Sequence, residues 1–458
     1  MFNFKRLFSI LWPVSILALP WQTRWIVDQA SLSGFPWEQG TIAFYVSWVV
    51  MIAVIVLGFI CYPVSLPKAL PTTSFIQRLK RHAFVLVAFI VLVVATGMTT
   101  SWSATGMWWT QVVIASLFVW TLVRAQVSFV RMAVWFVVSL VPHAAIGFFQ
   151  YFHQDTFSSS WLGMANHHPW DHGTSVVEHG LYRVLRAYGG FPHPNIFGGW
   201  LAVALTVIPF LVSRAQTSWA RIGLMLTSGV FAFILLVTYG RGAWIAGAIG
   251  FSVAMIMAFR RGDEVDRLRL ASVAFVMVAA LGLGMFSEWD HLSARFELSN
   301  RLESWSVQTR ILSIRDGIDV ANQRQIFGWG PGAGQVGIAA HRAQNPKIFF
   351  IQSEPPHIAP LAGIVDLGFV GFIALFFIAW LLLRGVFQLI PVTVKGIRLK
   401  LPVFHPLILV FVLLASLDHY FWTLWSGHTL FAVIAILALR WQRERSSEAV
   451  KIEGPVVS

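Results

Sequence analysis

Residues 288–360 gather the side chains best suited to chemistry on a polyanion. Arg295, Arg301, Arg310, Arg315, Arg324, Arg342 and Lys347 fall in this one stretch, which closes on Glu354-Pro355-Pro356-His357. Guanidiniums bind phosphate oxygens through paired N–H donors. A histidine titrating near neutrality can accept a proton from a hydroxyl. Two prolines stiffen the approach to His357, and Glu354 is close enough in sequence to orient the ring. A lone histidine at a helix start also serves as a cap or as an interfacial polar group, so residue type alone leaves both readings open.

Other positions carry comparable ambiguity. Arg241 sits in Thr238-Tyr239-Gly240-Arg241-Gly242-Ala243-Trp244, a tight turn between two apolar runs. It is either a snorkelling arginine bonded to lipid phosphate or a clamp for a lipid-linked phosphate. Arg310 opens an expected helix from Thr309 to Gln323, where a basic residue opposes the macrodipole; a solvated loop arginine is the plain alternative. In Arg186-Ala187-Tyr188-Gly189-Gly190-Phe191-Pro192-His193-Pro194-Asn195, Asn195 suits an N-cap, which leaves Arg186 and His193 unexplained. His167, His168, Asp171, His172, Glu178 and His179 follow no zinc spacing and read as an exposed polar loop; no metal is expected. The glycines at 328–334 lack a following Lys-Ser/Thr and a preceding strand, so a nucleotide loop is not expected.

The elements that must position these groups are membrane helices. The chain is 57% hydrophobic and 12% charged, with mean hydropathy +0.69, which excludes an ordinary soluble domain. Twelve apolar runs read as spans: 7–26, 41–62, 83–101, 106–123, 128–150, 196–213, 221–239, 242–259, 268–287, 361–384, 403–421 and 427–441. No strand alternation competes with them. The first run has no small-residue cleavage site after it and reads as a retained helix. The expected class is therefore an all-α polytopic membrane protein of about twelve transmembrane helices. Residues 1–458 form one membrane domain, with external loops at 152–195 and 288–360 and a short disordered tail at 446–458. The single Cys61 excludes an intrachain disulfide.

Charge placement sets the expected topology. With the N-terminus cytoplasmic, 22 of the 33 Lys and Arg residues fall on the inner side; seven of the remaining 11 lie in 288–360. Both termini then face the cytoplasm. The net charge of +13 reflects this bias and implies no nucleic-acid partner. Eleven of the 14 histidines gather on the outer side, where chemistry is expected.

Four motifs in order resemble the O-antigen ligase and O-antigen polymerase superfamily of bacterial membrane glycosyltransferases. They are Arg186 with Phe191-Pro192-His193-Pro194-Asn195; Arg241-Gly242-Ala243-Trp244; Arg310 followed by Gly328-Trp329-Gly330-Pro331-Gly332; and His357 with Gly368 downstream. Asp418-His419-Tyr420 near the last outer turn is similar to the family as well. Gly240 stands where the family has serine, Ile358 where asparagine is common, and Ile314 where an aromatic or leucine is frequent.

The resemblance implies transfer of a glycan from undecaprenyl pyrophosphate to an acceptor hydroxyl, at the outer face of the bacterial inner membrane, without cofactor or metal. It implies that Arg241 and Arg310 bind the donor pyrophosphate and that His357 activates the acceptor, with Arg186, His193, Glu354 and His419 as further substrate-binding candidates. The acceptor is a glycolipid, as in lipopolysaccharide biosynthesis, a glycan or a protein. Polymerisation of repeat units and protein glycosylation share the same reaction core. A transporter or flippase of lipid-linked sugars is the alternative from another class, disfavoured because few charges fall mid-helix.

Overall fold

The computed structural model describes residues 3–63, 75–297, 300–344, 352–383, 389–394, 397–402 and 405–453. Helices dominate. In chain order they are α1 (Phe4–Ala18), α2 (Val46–Cys61), α3 (Phe75–Gly97), α4 (Trp102–Arg124), α5 (Phe129–His153), α6 (Pro194–Val212), α7 (Ser218–Val237), α8 (Arg241–Phe259), α9 (Glu264–Ser287), α10 (Trp289–Ala294), α11 (Arg301–Gln323), α12 (Gly334–Ala343), α13 (Ala359–Leu383), α14 (Pro406–Leu417), α15 (Tyr420–Thr423) and α16 (Trp425–Glu453). Seven of them, α4 to α9 and α13, are long and apolar enough to cross a membrane. The chain is thus a multi-pass helical protein.

Strands also form, contrary to the all-α expectation. β1 (Arg24–Asp28) pairs with β4 (Ile42–Tyr45), and β2 (Ser31–Leu32) with β3 (Phe35–Pro36), all antiparallel. β5 (Val176–His179) pairs with β6 (Tyr182–Leu185), and β7 (Leu389–Val394) with β8 (Ile397–Pro402). The first expected span, 7–26, is therefore cut short. Its helix ends at Ala18, and Trp25 and Ile26, which read as apolar helix in sequence, lie exposed on a strand. A short run of apolar residues fits strand and helix alike, and pairing with Ile42–Tyr45 decides between them. At the other end α16 continues to Glu453, so the polar stretch from Ser446 to Glu453 is helical and not a disordered tail.

The core is built around α6, apolar on every side, with nearly all of its length buried. Small residues let its neighbours approach. A Cβ on Gly250 of α8 would come within 2.2 Å of Val410 on α14 and 2.5 Å of Thr206 on α6, so only glycine permits this three-helix contact.

The polar stretch after α9 is tied down at both ends. Buried Glu288 accepts from Tyr239 Oη at 2.6 Å, from Tyr151 Oη at 2.5 Å, and lies 3.0 Å from His291 Nδ1. Asn300 caps α11 through the Leu302 N–H and donates to the Glu178 carbonyl. Glu178 also pairs with Arg301 and Arg183, which anchors α11 to the β5–β6 hairpin.

The loop helix extends back to Arg301 from its expected start at Thr309. Arg310 is consequently mid-helix and does not face the macrodipole cost of a first turn. The cap at Asn300 and Glu303 in the first turn are the start signals.

Candidate functional site

One face of α11 organises the site. Glu303, Arg310 and Gly317 recur every seventh residue and so share that face. Glu303 is buried and accepts from Arg295, while Arg241 Nη1 lies 3.1 Å from its other oxygen. Gly317 abuts the prolines before His357, since a Cβ there would come within 2.4 Å of Pro356 Cγ. Arg310 lies between these contacts, about 10 Å along the axis from each at 1.5 Å per residue. The face thus runs from Arg241 to the threshold of His357.

Four guanidiniums converge here. Arg295 donates to the Tyr239 carbonyl at 3.0 and 3.2 Å, and Arg241 Nη1 donates to the Arg295 carbonyl at 2.5 Å. Arg186 is buried; it donates to the Thr238 carbonyl at 2.7 Å and to Asn195 Oδ1 at 2.6 Å. Burial lowers the pKa of Arg186 to about 10, with the charges of Arg310 and Arg241 acting in the same direction. Burial followed by Arg186, Arg241 and Arg310 lowers Arg295 to about 8. Burial is the larger cause of both shifts; the smaller one is crowding of positive charge, which a bound anion would relieve. Among the described residues, Glu303 is the carboxylate serving this group, and none pairs with Arg310.

Arg186 begins a polar chain that ends at His357. Asn195 Nδ2 donates to Asp418 Oδ2 at 3.0 Å, and Asp418 Oδ1 lies 3.8 Å from His357 Nδ1. On the opposite edge of the ring, His357 Nε2 is 3.4 Å from Glu354. His419 packs its ring 5.2 Å from that of His357 and holds Thr423 Oγ1 at 2.7 Å through Nδ1. Burial disfavours the charged form of His357, but Asp418 and Glu354 outweigh it and raise the ring to about 9. The ring therefore rests as imidazolium at neutral pH, unlike a free histidine, which titrates near neutrality. Burial alone would raise Asp418; attraction to His357 and the other nearby imidazoles instead holds it well below the usual carboxylate range.

His193, not Asn195, is the N-cap of α6. Its Nδ1 accepts from the Asn195 N–H at 3.1 Å, and Pro194 occupies the first helical position. Burial, then the charge of Arg186, lowers His193 to about 3, so it is a neutral acceptor. Asn195 is thereby released from capping, and its amide links Arg186 to Asp418.

Several of the remaining sequence candidates have structural partners. Arg342 pairs with Asp316 at 2.6 Å, and Arg324 stacks 4.2 Å from the Trp329 ring centroid. Lys347 lies outside the described residues. The glycines at 328–334 receive an anion from within the protein: Gly332 and Gly334 donate to Asp366 at 2.7 and 2.8 Å. Trp422 Nε1 donates to the same carboxylate at 2.7 Å, which ties this loop to the segment carrying Asp418 and His419. Of the loop histidines, His167 stacks on Tyr188 and His168 lies 3.3 Å from Asp155. Among the described residues the metal-competent group is elsewhere, at His357, Asp418 and His419, whose ligand atoms lie within 4.8 Å of one another.

Residues 226–376 match the family model described as O-antigen ligase. This segment is similar to O-antigen ligases. No curated protein matches the chain significantly. The matched segment covers about a third of the chain and contains Arg241, Arg295, Arg310, Glu354 and His357. Arg186, His193, Asn195, Asp418 and His419 come from outside it, so the site is completed by α6 and by the turn after α14. Sequence reasoning named Arg295 only among the basic residues of 288–360 and Asp418 only within a family-like motif, and it did not single out Glu303 or Asp366. Asp366 had a legible signal as the lone acidic residue in the run 361–384. Glu303 had none as a partner of Arg241 and Arg295, since only the fold brings the three together.

Proposed function

We propose that this protein transfers a glycan from undecaprenyl pyrophosphate to an acceptor hydroxyl at the outer face of the inner membrane. The carrying observation is that Arg186, Arg241, Arg295 and Arg310 lie close enough to repel one another, that only Arg241 and Arg295 among them contact a carboxylate, Glu303, within the described residues, and that Arg186 leads through Asn195 to the His357–Asp418 pair. Such an excess of fixed positive charge suits a leaving pyrophosphate, whose charge grows as the glycosidic bond breaks.

In this mechanism the acceptor oxygen forms a bond to the anomeric carbon. The bond from that carbon to the pyrophosphate oxygen breaks, and its electron pair leaves on the pyrophosphate. Arg310, with no described carboxylate partner, binds the donor phosphates, and Arg241 supplies the second guanidinium. His357 in its neutral form takes the acceptor proton, and Asp418 orients the ring and stabilises the imidazolium that results. Because carboxylates raise its basicity, His357 is a strong base that is scarce in its active form at pH 7: about 1% neutral for a group titrating near 9.

The test is incubation of the purified protein in lipid with a defined undecaprenyl-pyrophosphate glycan and candidate acceptors, followed by mass spectrometry. A product joined to lipid A core, protein or a second lipid-linked glycan identifies ligase, protein transferase or polymerase. Movement of intact donor across the bilayer without product would favour the transporter reading.

A further inference from the structure

A cavity of about 530 Å³ opens beside His357. His357, Asp418, His419 and His193 border it; Arg186, Arg241, Arg295 and Arg310 do not. The dyad therefore joins two compartments of opposite character. The first, crowded with arginine, suits the phosphates of the donor. The second must be judged by its own lining.

That lining is aromatic and hydrogen-bonding. Trp37, Tyr188 and Trp425 contribute ring surface. Gln22, Gln335, Gln352 and Ser353 add neutral hydrogen-bonding groups to the wall. Aromatic faces with a few convergent neutral polar groups suit the apolar faces and hydroxyls of a sugar.

Its charges point away from an anion. Arg24 is the guanidinium among the described lining residues, and both its terminal nitrogens donate to Glu38. The other charged groups on the wall are the carboxylates Glu354 and Asp418, with the His357 ring between them. A phosphate monoester, with a charge of about −1.5 to −2, would meet three carboxylates whose cationic neighbours, Arg24 and His357, are already paired with them.

We propose that this cavity is the acceptor site and that it takes an uncharged oligosaccharide end in preference to a phosphorylated one. The word acceptor rests on the transfer reading above; the preference for a neutral sugar rests on the cavity alone. The β1–β4 segment, through Arg24, Trp37 and Glu38, supplies one wall and acts as the specificity element, with Trp37 Nε1 fixed on Gln335 Oε1 at 2.7 Å.

The test uses the full chain in lipid nanodiscs, without donor, and ligand-detected NMR of a neutral trisaccharide and of the same sugar carrying one phosphate monoester. The neutral sugar binds, and the phosphorylated one binds about tenfold more weakly, as expected for like charges brought together. Trp37→Phe and Gln335→Ala each weaken neutral-sugar binding, with a single cooperative unfolding transition showing that the fold persists. Glu38→Gln frees Arg24 and raises the affinity of the phosphorylated sugar several-fold relative to the neutral one. Equal or tighter binding of the phosphorylated sugar overturns the proposal, as does absence of neutral-sugar binding. A parallel assay with lipid-pyrophosphate donor separates the two readings. Donor consumed only with phosphorylated acceptor refutes the neutral preference and leaves transfer standing. Neutral sugar bound with no donor ever consumed refutes transfer and supports the cavity as a neutral-sugar site.

Discussion

Replacing Asp418 by Asn tests the electrostatic logic of the site most directly. The substitution keeps the shape and one carbonyl acceptor, so Asn195 or the His419 N–H retains a partner, but the charge facing His357 is lost. At the observed separation of 3.8 Å, an effective dielectric of about 20 gives roughly 4 kcal/mol of attraction. At 1.36 kcal/mol per pH unit this amounts to about three units. Wild-type His357 titrates at about 9, so Asp418→Asn should bring it near 6. With His357 as base, wild-type kcat/KM rises about tenfold per pH unit up to about 9. In Asp418→Asn the rise ends near pH 6, at a lower plateau because the base is weaker and less well oriented. The assay is transfer from a defined lipid-linked donor in nanodiscs between pH 5 and 10. A limb that stays at 9 in the variant, or activity that falls as pH rises through this range in the wild type, would refute the assignment of His357 as base coupled to Asp418. Stability carries the same signature. A raised histidine stabilises fully below its unfolded value of about 6.5, and this contribution is lost as pH rises through about 9. Thermal midpoints of the wild type should therefore decline across that window and those of Asp418→Asn should not.

Three further outcomes are expected. Arg310→Lys keeps the charge but removes the fork, and should cost about tenfold or more in kcat/KM, with Arg241→Lys behaving similarly; unchanged turnover in both would count against bidentate phosphate binding. Gly317→Val drives a side chain into Pro356 and should destabilise by about 1–3 kcal/mol in thermal unfolding, with a larger loss of turnover because the displaced segment carries His357; a fully active variant would show that α11 does not set the position of the base. Prolonged chelation should leave transfer intact if His357 and Asp418 handle protons alone, whereas a loss restored by added Zn²⁺ would show that His357, Asp418 and His419 hold a metal.

The helical, multi-pass character of this protein was legible in sequence because long apolar runs have few other stable forms in a bilayer. The family was legible in four ordered motifs, and the O-antigen ligase match covers three of them. His357, Arg241 and Arg310 were ambiguous by residue type, and the family resemblance singled them out. Local detail proved less secure. Trp25 and Ile26 read as helix until β4 paired with them, and Asn195 read as a cap until His193 took that place. What only the tertiary structure decided is which groups face one another. Glu303 meets Arg241 because α11 starts at Asn300 and runs past the α7–α8 turn. Asp418 meets His357 because α14 returns the chain to the mouth of α13 from outside the matched domain. Charge interactions depend on distance through space and on burial, neither of which is written in spacing along the chain. For that reason the sequence could name candidates for the base and for the phosphate-binding arginines, but not the resting charge of His357 or that Arg241 and Arg295 share Glu303.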